Sequence, residues 1–198
     1  MNICIFGDSI TWGASDSDKG GWVERLRVYF GEKYDANVYN LGVCGDTTDD
    51  LLKRVEVECK AREPSIIVFA IGINDSQFVH SKSDRRTSIE NFKENLSKLH
   101  SAARQFTEKI AFVGWTDIYE SKTKPVPWNT DRSYDNRSIQ KYDEAIKRFC
   151  SEKKLKFITM NGVLTLGDLT DGVHPNSQGH EKMADIIKPV LEDFLEIR

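Results

Sequence analysis

An α/β domain built on a parallel sheet is what this sequence predicts, and three observations predict it. Strand and helix patterns alternate along the whole chain. The clearest strand, Ile66-Ile67-Val68-Phe69-Ala70-Ile71, is apolar throughout rather than alternating. Such runs are expected where helices cover both faces of a sheet. Three of the apolar runs stop at Gly7, Gly42 and Gly72, as strands do when they enter tight turns. The crossovers joining parallel strands should be right-handed. With 198 residues the chain can fill one core and hardly two, so 1–198 is read as one domain.

The first strand is Asn2 to Phe6. Trp22, Val23, Leu26 and Phe30 then recur at helical spacing, and Gly31 can close that helix. Asn37 to Leu41 reads as the second strand. Leu51, Leu52, Val55 and Cys59 mark a second helix, with Asp49 and Asp50 favourably placed in its first turn. Pro64 ends that connection, and Ile66 to Ile71 is the third strand. Thr87 and Glu90 have capping-box spacing before a long amphipathic helix carrying Ile89, Phe92, Leu96, Leu99, Ala103 and Phe106. Ile110 to Trp115 is the fourth strand. Ile139, Tyr142, Ile146 and Phe149 form the next helical stripe, and Leu155 to Met160 the fifth strand. Ser177 can cap a last helix through His180, Met183, Ile187, Val190 and Phe194, which Pro189 should kink or break. Residues 116–136 have no periodicity. A loop of that length is usually functional or disordered, and Tyr119, Trp128 and Tyr134 beside Pro125 and Pro127 favour an ordered flap.

Composition excludes several classes. A net charge of -3 supplies no basic footprint for nucleic acid. The longest apolar run is far too short to span a bilayer. No basic n-region or long apolar segment precedes the first strand. Cys4, Cys44, Cys59 and Cys150 are scattered without a Cys-x-x-Cys pair. A reduced, cytoplasmic setting is therefore expected. No metal motif or phosphate-binding glycine fingerprint is present, so neither a metal nor a cofactor is expected.

Four clusters follow predicted strands: Gly7-Asp8-Ser9, Gly42-Val43-Cys44-Gly45-Asp46-Thr47-Thr48, Gly72-Ile73-Asn74-Asp75 and Asp171-Gly172-Val173-His174-Pro175. Ligands bind open parallel sheets outside the carboxyl ends of the strands, so all four should converge on one rim. Together they supply a hydroxyl, an imidazole, a carboxylate three residues before it, an amide and flexible backbone donors. Those are the parts that acyl transfer through a serine requires.

On these four blocks, in this order and nearly end to end, the chain resembles the SGNH hydrolases, the GDSL-type esterase and lipase family. The resemblance implies a three-layer α/β/α, flavodoxin-like sandwich around five parallel strands. It implies that Ser9 is the nucleophile, that Asp171 and His174 complete the triad, and that Gly45 and Asn74 join Ser9 in the oxyanion hole.

The chemistry of the residues agrees. Serine is a poor nucleophile until a base takes its proton, and imidazole is suited to take it and return it. A carboxylate three residues away can hold the imidazole's tautomer. Gly45 lets backbone approach a substrate closely, and the Asn74 amide is a second donor. Asp8 and Asp75 read as hydrogen-bonding supports. Trp12, Trp115, Tyr119 and Trp128 could wall a substrate pocket or pack in the core. Cys44 reads as a small buried residue, His80 and His100 as surface positions and His180 as structural.

The expected activity is hydrolysis of small, short-chain or acetyl esters through an acyl-enzyme, with a small-molecule ester as substrate and no nucleic-acid partner. Three alternatives stand beside it. The fold could carry an idle triad in a binding protein. The same triad could serve a thioesterase or lysophospholipase, or an acyltransferase that passes the acyl group to an alcohol.

Overall fold

The computed structural model describes residues 1–196. The elements run β1 (Asn2–Gly7), α1 (Ser9–Trp12), α2 (Gly21–Tyr34), β2 (Asn37–Gly42), α3 (Thr48–Leu52), α4 (Val55–Arg62), β3 (Ile66–Ala70), β4 (Phe78–Val79), β5 (Asp84–Arg85), α5 (Ile89–Ala103), β6 (Ile110–Val113), β7 (Arg132–Ser133), α6 (Asn136–Lys153), β8 (Lys156–Ile158) and α7 (Ser177–Glu196). Five strands pair in parallel in the order β2-β1-β3-β6-β8. Helix α2 packs on α7, while α3 and α4 pack on α5 and α5 on α6. Two helical layers thus enclose the sheet, giving the three-layer α/β/α sandwich.

The register explains the rim. Phe6 faces Phe69 across β1 and β3, and Phe69 faces Phe112 across β3 and β6. All three are fully buried, with ring centroids 5.7 and 5.0 Å apart. Aromatic pairs of this kind resist a register slip, because slipping by one residue would turn the rings to the other face. Gly7 consequently pairs with both Gly42 and Ala70, so the three chains leave the sheet at one level.

Several local expectations are corrected. Gly31 does not close α2, which continues to Tyr34 and ends at Asp35 in the left-handed region (φ 50°). Tyr34 stacks on Phe30 at 5.6 Å, and that packing outweighs the cost of an interior glycine. The single helix expected from Leu51 to Cys59 is two, broken at Arg54. Its guanidinium turns back to the carbonyls of Leu41 (2.9 Å) and Gly7 (3.3 Å) and to the Asp46 carboxylate. Ser88, not Thr87, caps α5 by accepting from Asn91 N. Thr87 is buried, and its carbonyl accepts from the Tyr142 hydroxyl. At α7 the capping oxygen is Asn176 Oδ1, bonded by Gly179 N at 2.9 Å, because Ser177 is held by Arg25. Pro189 does not break α7, whose stripe of Met183, Ile187, Leu191 and Phe194 stays buried on both sides of it.

A second sheet, β5-β4-β7, was not expected. It is antiparallel, pairing Phe78 with Arg85 and with Ser133, and Val79 with Asp84 and with Arg132. Strands of two residues are too short for alternation to register in the sequence.

Candidate active site

Ser9 opens α1 directly after β1. Asp8 turns the chain by capping that helix, its Oδ1 accepting from Ile10 N at 3.0 Å. The Ser9 hydroxyl lies 2.8 Å from His174 Nε2, and His174 Nδ1 lies 2.7 Å from Asp171 Oδ2. The other oxygen of Asp171 accepts the backbone N–H groups of Val173 and His174. One short loop therefore fixes carboxylate and imidazole together. Gly172 between them has φ +98°, and an added Cβ would meet Lys122 at 2.9 Å. Both its conformation and its crowding require glycine.

Burial acts to raise Asp171, but the bond from the His174 ring and the two backbone donors outweigh it and hold the carboxyl at about 2. A carboxyl lowered on folding stabilises the native state above its ordinary value near 4, and that contribution is lost as pH falls through about 2. Asp171 is therefore ionised wherever the protein is folded near neutral pH.

Asp8 runs the other way. It is fully buried, Oδ2 has no hydrogen-bond partner among the described residues, and burial raises the group to about 7. The folded state then binds a proton that the unfolded chain releases, so stability falls as pH rises from about 4 to about 7. Asp8→Asn keeps the capping oxygen and removes the titration. The drop in melting temperature between pH 5 and pH 8 should shrink by several degrees, taking ~1 kcal/mol as 2–4 °C in a chain of this size. Thermal melts at the two pH values check this, and an unchanged drop would show that Asp8 is not its source.

Gly45 and Asn74 lie on the neighbouring turns. Gly45 has φ +85° with open space where a Cβ would project, so conformation rather than crowding calls for glycine there. Asn74 Nδ2 donates one hydrogen to the Asp46 carbonyl at 3.0 Å, and Asn74 Oδ1 accepts from the Tyr134 hydroxyl at 2.6 Å. The amide is thereby fixed with its second N–H uncommitted to that carbonyl. Asp75, fully buried, accepts from Thr48 N at 3.1 Å and Thr48 Oγ1 at 2.5 Å, and burial raises it to about 6. It ties the Asn74 turn to the turn that presents Gly45.

The 116–136 segment is an ordered strap. Tyr119 N donates to Gly172 O, Ile118 N to Asn136 Oδ1, and Tyr134 N to Thr123 O. It touches the Asp171–His174 loop at one end and Asn74 at the other. Three residues hold this arrangement through long-range bonds that the sequence pattern did not assign to them. Tyr134 orients Asn74, and Arg54 braces the ends of β1 and β2. Arg25 bonds both Ser177 and the buried Asp16. An arginine on a helix or between two helices carries no sequence signal that separates a brace from a solvated charge.

The four aromatic candidates separate. Trp128 is 51% exposed, and its ring lies 5.4 Å from the His174 ring. Tyr119 is half-buried under Lys122. Trp12 is exposed at the end of α1. Trp115 is buried and lines a cavity of about 20 Å³ with Ile10, Ile73, Val173 and Pro175. Those four neighbours each adjoin Ser9, Asn74 or His174 in sequence. A wider cleft of about 700 Å³, between the starts of α5 and α6, contains none of the predicted groups. Cys44 is exposed, not buried as expected, and its thiol is raised by partial burial, the wrong direction for a nucleophile. His80 is exposed, and His180 is fully buried against the Ala14 carbonyl. No group of three His, Cys, Asp or Glu side chains among the described residues could hold a metal ion.

Trp128→Ala should shift relative kcat/KM among esters of graded acyl and alcohol size by about tenfold, with melting temperature changed little, since an exposed side chain contributes little to stability. A steady-state ester panel checks it. An unchanged profile with a large loss of melting temperature would make Trp128 a packing residue.

The chain is 22% identical to the esterase TesA of Pseudomonas aeruginosa, over 98% of this chain and 90% of that protein. It is 30% identical to a multidomain esterase of Ruminococcus flavefaciens, of which it spans 29%. The fold matches a lipase/acylhydrolase of Enterococcus faecalis with a TM-score of 0.76, at 23% identity, covering 100% of this chain and 97% of that one. It matches an acetylxylan esterase of Geobacillus stearothermophilus with a TM-score of 0.74, at 19% identity, covering 96% and 93%. The model of the GDSL-like Lipase/Acylhydrolase family matches residues 5–182, which include all four converging turns. The chain belongs to the GDSL-like Lipase/Acylhydrolase family.

Proposed function

We propose that this carboxylic ester hydrolase cleaves small esters through a covalent acyl-enzyme formed on Ser9. The observation that carries this is the unbroken line from Ser9 Oγ through His174 to Asp171, at 2.8 and 2.7 Å. His174 Nε2 takes the hydroxyl proton as Oγ attacks the carbonyl carbon, and the carbonyl electrons move onto oxygen. The backbone N–H groups of Ser9 and Gly45 and the Asn74 amide receive that oxyanion. On collapse the proton passes from His174 to the leaving alcohol. Water, activated by the same imidazole, then releases the acid. Asp171 stays ionised and holds Nδ1 throughout.

Short acyl groups suit the site best, since the cavity beside it is small, about 20 Å³. That TesA and the Ruminococcus relative are named esterases supports ester over amide substrates. The chain 1–198 is taken as one domain acting on a small molecule, with no nucleic-acid partner. A cytoplasmic setting fits four unpaired cysteines. Among the described residues no helix is long and apolar enough to cross a membrane.

The test joins a fluorophosphonate probe to a panel of chromogenic esters and thioesters of graded acyl length. Labelling mapped to Ser9, with turnover highest on acetate, is expected. No labelling and no turnover would leave a binding protein on this fold. Acyl products on added alcohols in place of free acid would make it a transferase.

A further inference from the structure

Two arginines meet beside the Asn74 turn without a carboxylate committed to them. Arg86 Nη1 and Arg132 Nη1 both donate to the same neutral oxygen, Gln77 Oε1, at 3.5 and 3.4 Å. Gln77 is 2% exposed. The nearest carboxylate oxygen to Arg86 is Asp50 Oδ2 at 3.9 Å. That oxygen already accepts from Thr47 N and Thr47 Oγ1, and its partner oxygen accepts from Lys53. Arg132 makes no ion pair within 4 Å among the described residues. Burial and then the charge of Arg132 act to lower Arg86, while Tyr134, Asp50 and Asp75 act the other way, and the net direction is down.

The backbone fixes the pair in place. Arg132 lies on β7, paired with Val79, and Arg86 N donates to Gln77 O at 2.9 Å. Gln77 N donates in turn to Asn74 O at 3.3 Å, and Tyr134, two residues after Arg132, holds the Asn74 amide. The Tyr134 hydroxyl feels the charges of Arg86 and Arg132 as well as those of Asp8 and Asp171. The arginines therefore lie on the segments that hold the Asn74 turn, and their charges are felt at the Tyr134 hydroxyl that orients its amide.

Two like charges held on one neutral acceptor repel each other, and an entering anion would relieve that repulsion. Guanidinium forks also match the oxygen geometry of carboxylate, phosphate and sulfate. We propose that Arg86 and Arg132 form an anion-recognition subsite, so that the ester this protein takes carries an anionic group beyond the bond that is cleaved. This rests on the reading of Ser9, His174 and Asp171 as an esterase centre.

The test compares three substrates: neutral 4-nitrophenyl acetate, mono-4-nitrophenyl glutarate with its charge on the acyl side, and 4-acetoxybenzoate with its charge on the leaving group. Wild-type protein is compared with Arg132→Gln, Arg132→Lys and Arg86→Gln. Arg132→Gln should lower the ratio of kcat/KM on one of the anionic esters to that on the neutral ester by about tenfold, as for one charge-assisted contact. Arg132→Lys should restore part of it. Which anionic ester responds tells on which side of the scissile bond the charge lies. Added sodium chloride should raise KM of the wild-type protein for that ester and not for the neutral one, a readout that needs no variant. Ratios unchanged in both glutamine variants, or salt effects equal for all three esters, would overturn the subsite while neutral turnover leaves the esterase reading standing. Absence of wild-type turnover on every ester would overturn the esterase reading instead.

Discussion

Ser9→Ala should reduce turnover of a chromogenic acetate ester by about 10⁴ or more. The reason is local. The hydroxyl is the one group 2.8 Å from His174 Nε2, so its loss removes the atom that would form the covalent bond. The fold should tolerate the change. Ser9 is the first residue of α1, and the cap is supplied by Asp8, not by Ser9. Alanine is also the best helix former. The melting temperature should therefore move by a few degrees at most. Residual turnover above about 1% in a preparation free of other hydrolases would show that a different nucleophile acts. Loss of activity together with collapse of the melt would leave Ser9 a structural residue.

Asn74→Ala should lower kcat by about 10² to 10³, the range seen on removing one oxyanion donor from another serine hydrolase, with KM little changed. The Asn74 N–H would face an oxygen that becomes negative only during attack. Its bond therefore strengthens between ground state and transition state, and that difference appears in kcat. The alanine variant also leaves the buried Tyr134 hydroxyl without its acceptor, at about 1–3 kcal/mol of stability. Asn74→Asp keeps an acceptor for Tyr134 but supplies no donor toward the oxyanion and brings a repelling charge, and its second oxygen would face the Asp46 carbonyl to which Nδ2 now donates at 3.0 Å. Activity should be at least as low as in the alanine variant, and the melt should fall as well, because a buried carboxylate is left unpaired. A rise in KM with kcat intact would make Asn74 a ground-state binding residue, and the oxyanion hole would then rest on Ser9 and Gly45.

The layered fold was legible because buried strands and amphipathic helices leave different periods. The short, wholly apolar run from Ile66, bounded by Pro64 and Gly72, has the length of a strand covered on both faces, and Ile89 to Ala103 keeps one apolar stripe. The convergence of the four turns was legible because topology puts every parallel strand's carboxyl end on one rim. What escaped depends on contacts distant in sequence. Arg54 breaks a helical pattern to reach Gly7 and Leu41, and no local propensity encodes that. Ser88 displaces Thr87 as the cap because Thr87 is drawn inward by Tyr142, 55 residues away. Tyr134 was visible as an aromatic in a long loop, but its bond to Asn74 spans 60 residues. Trp115 and Trp128 look alike in sequence; only the end of β6 decides that one is buried and the other lies over His174.

The strap across residues 116–136 sets terms for anyone redesigning this protein. Its two ends are pinned, by Tyr119 N on Gly172 and by the Tyr134 hydroxyl on Asn74, so length changes near either end would misalign a group of the candidate active site. Its middle, Pro125 to Thr130, is mostly exposed; Val126 is buried and bridges to Asn129 and Arg132, closing the tip on itself. That closed tip is a replaceable cassette. Libraries that vary residues 127–130 while keeping Val126 and both anchors would explore new substrate shapes with the chemistry held constant, whereas libraries that include Tyr119 or Tyr134 would mostly return inactive clones.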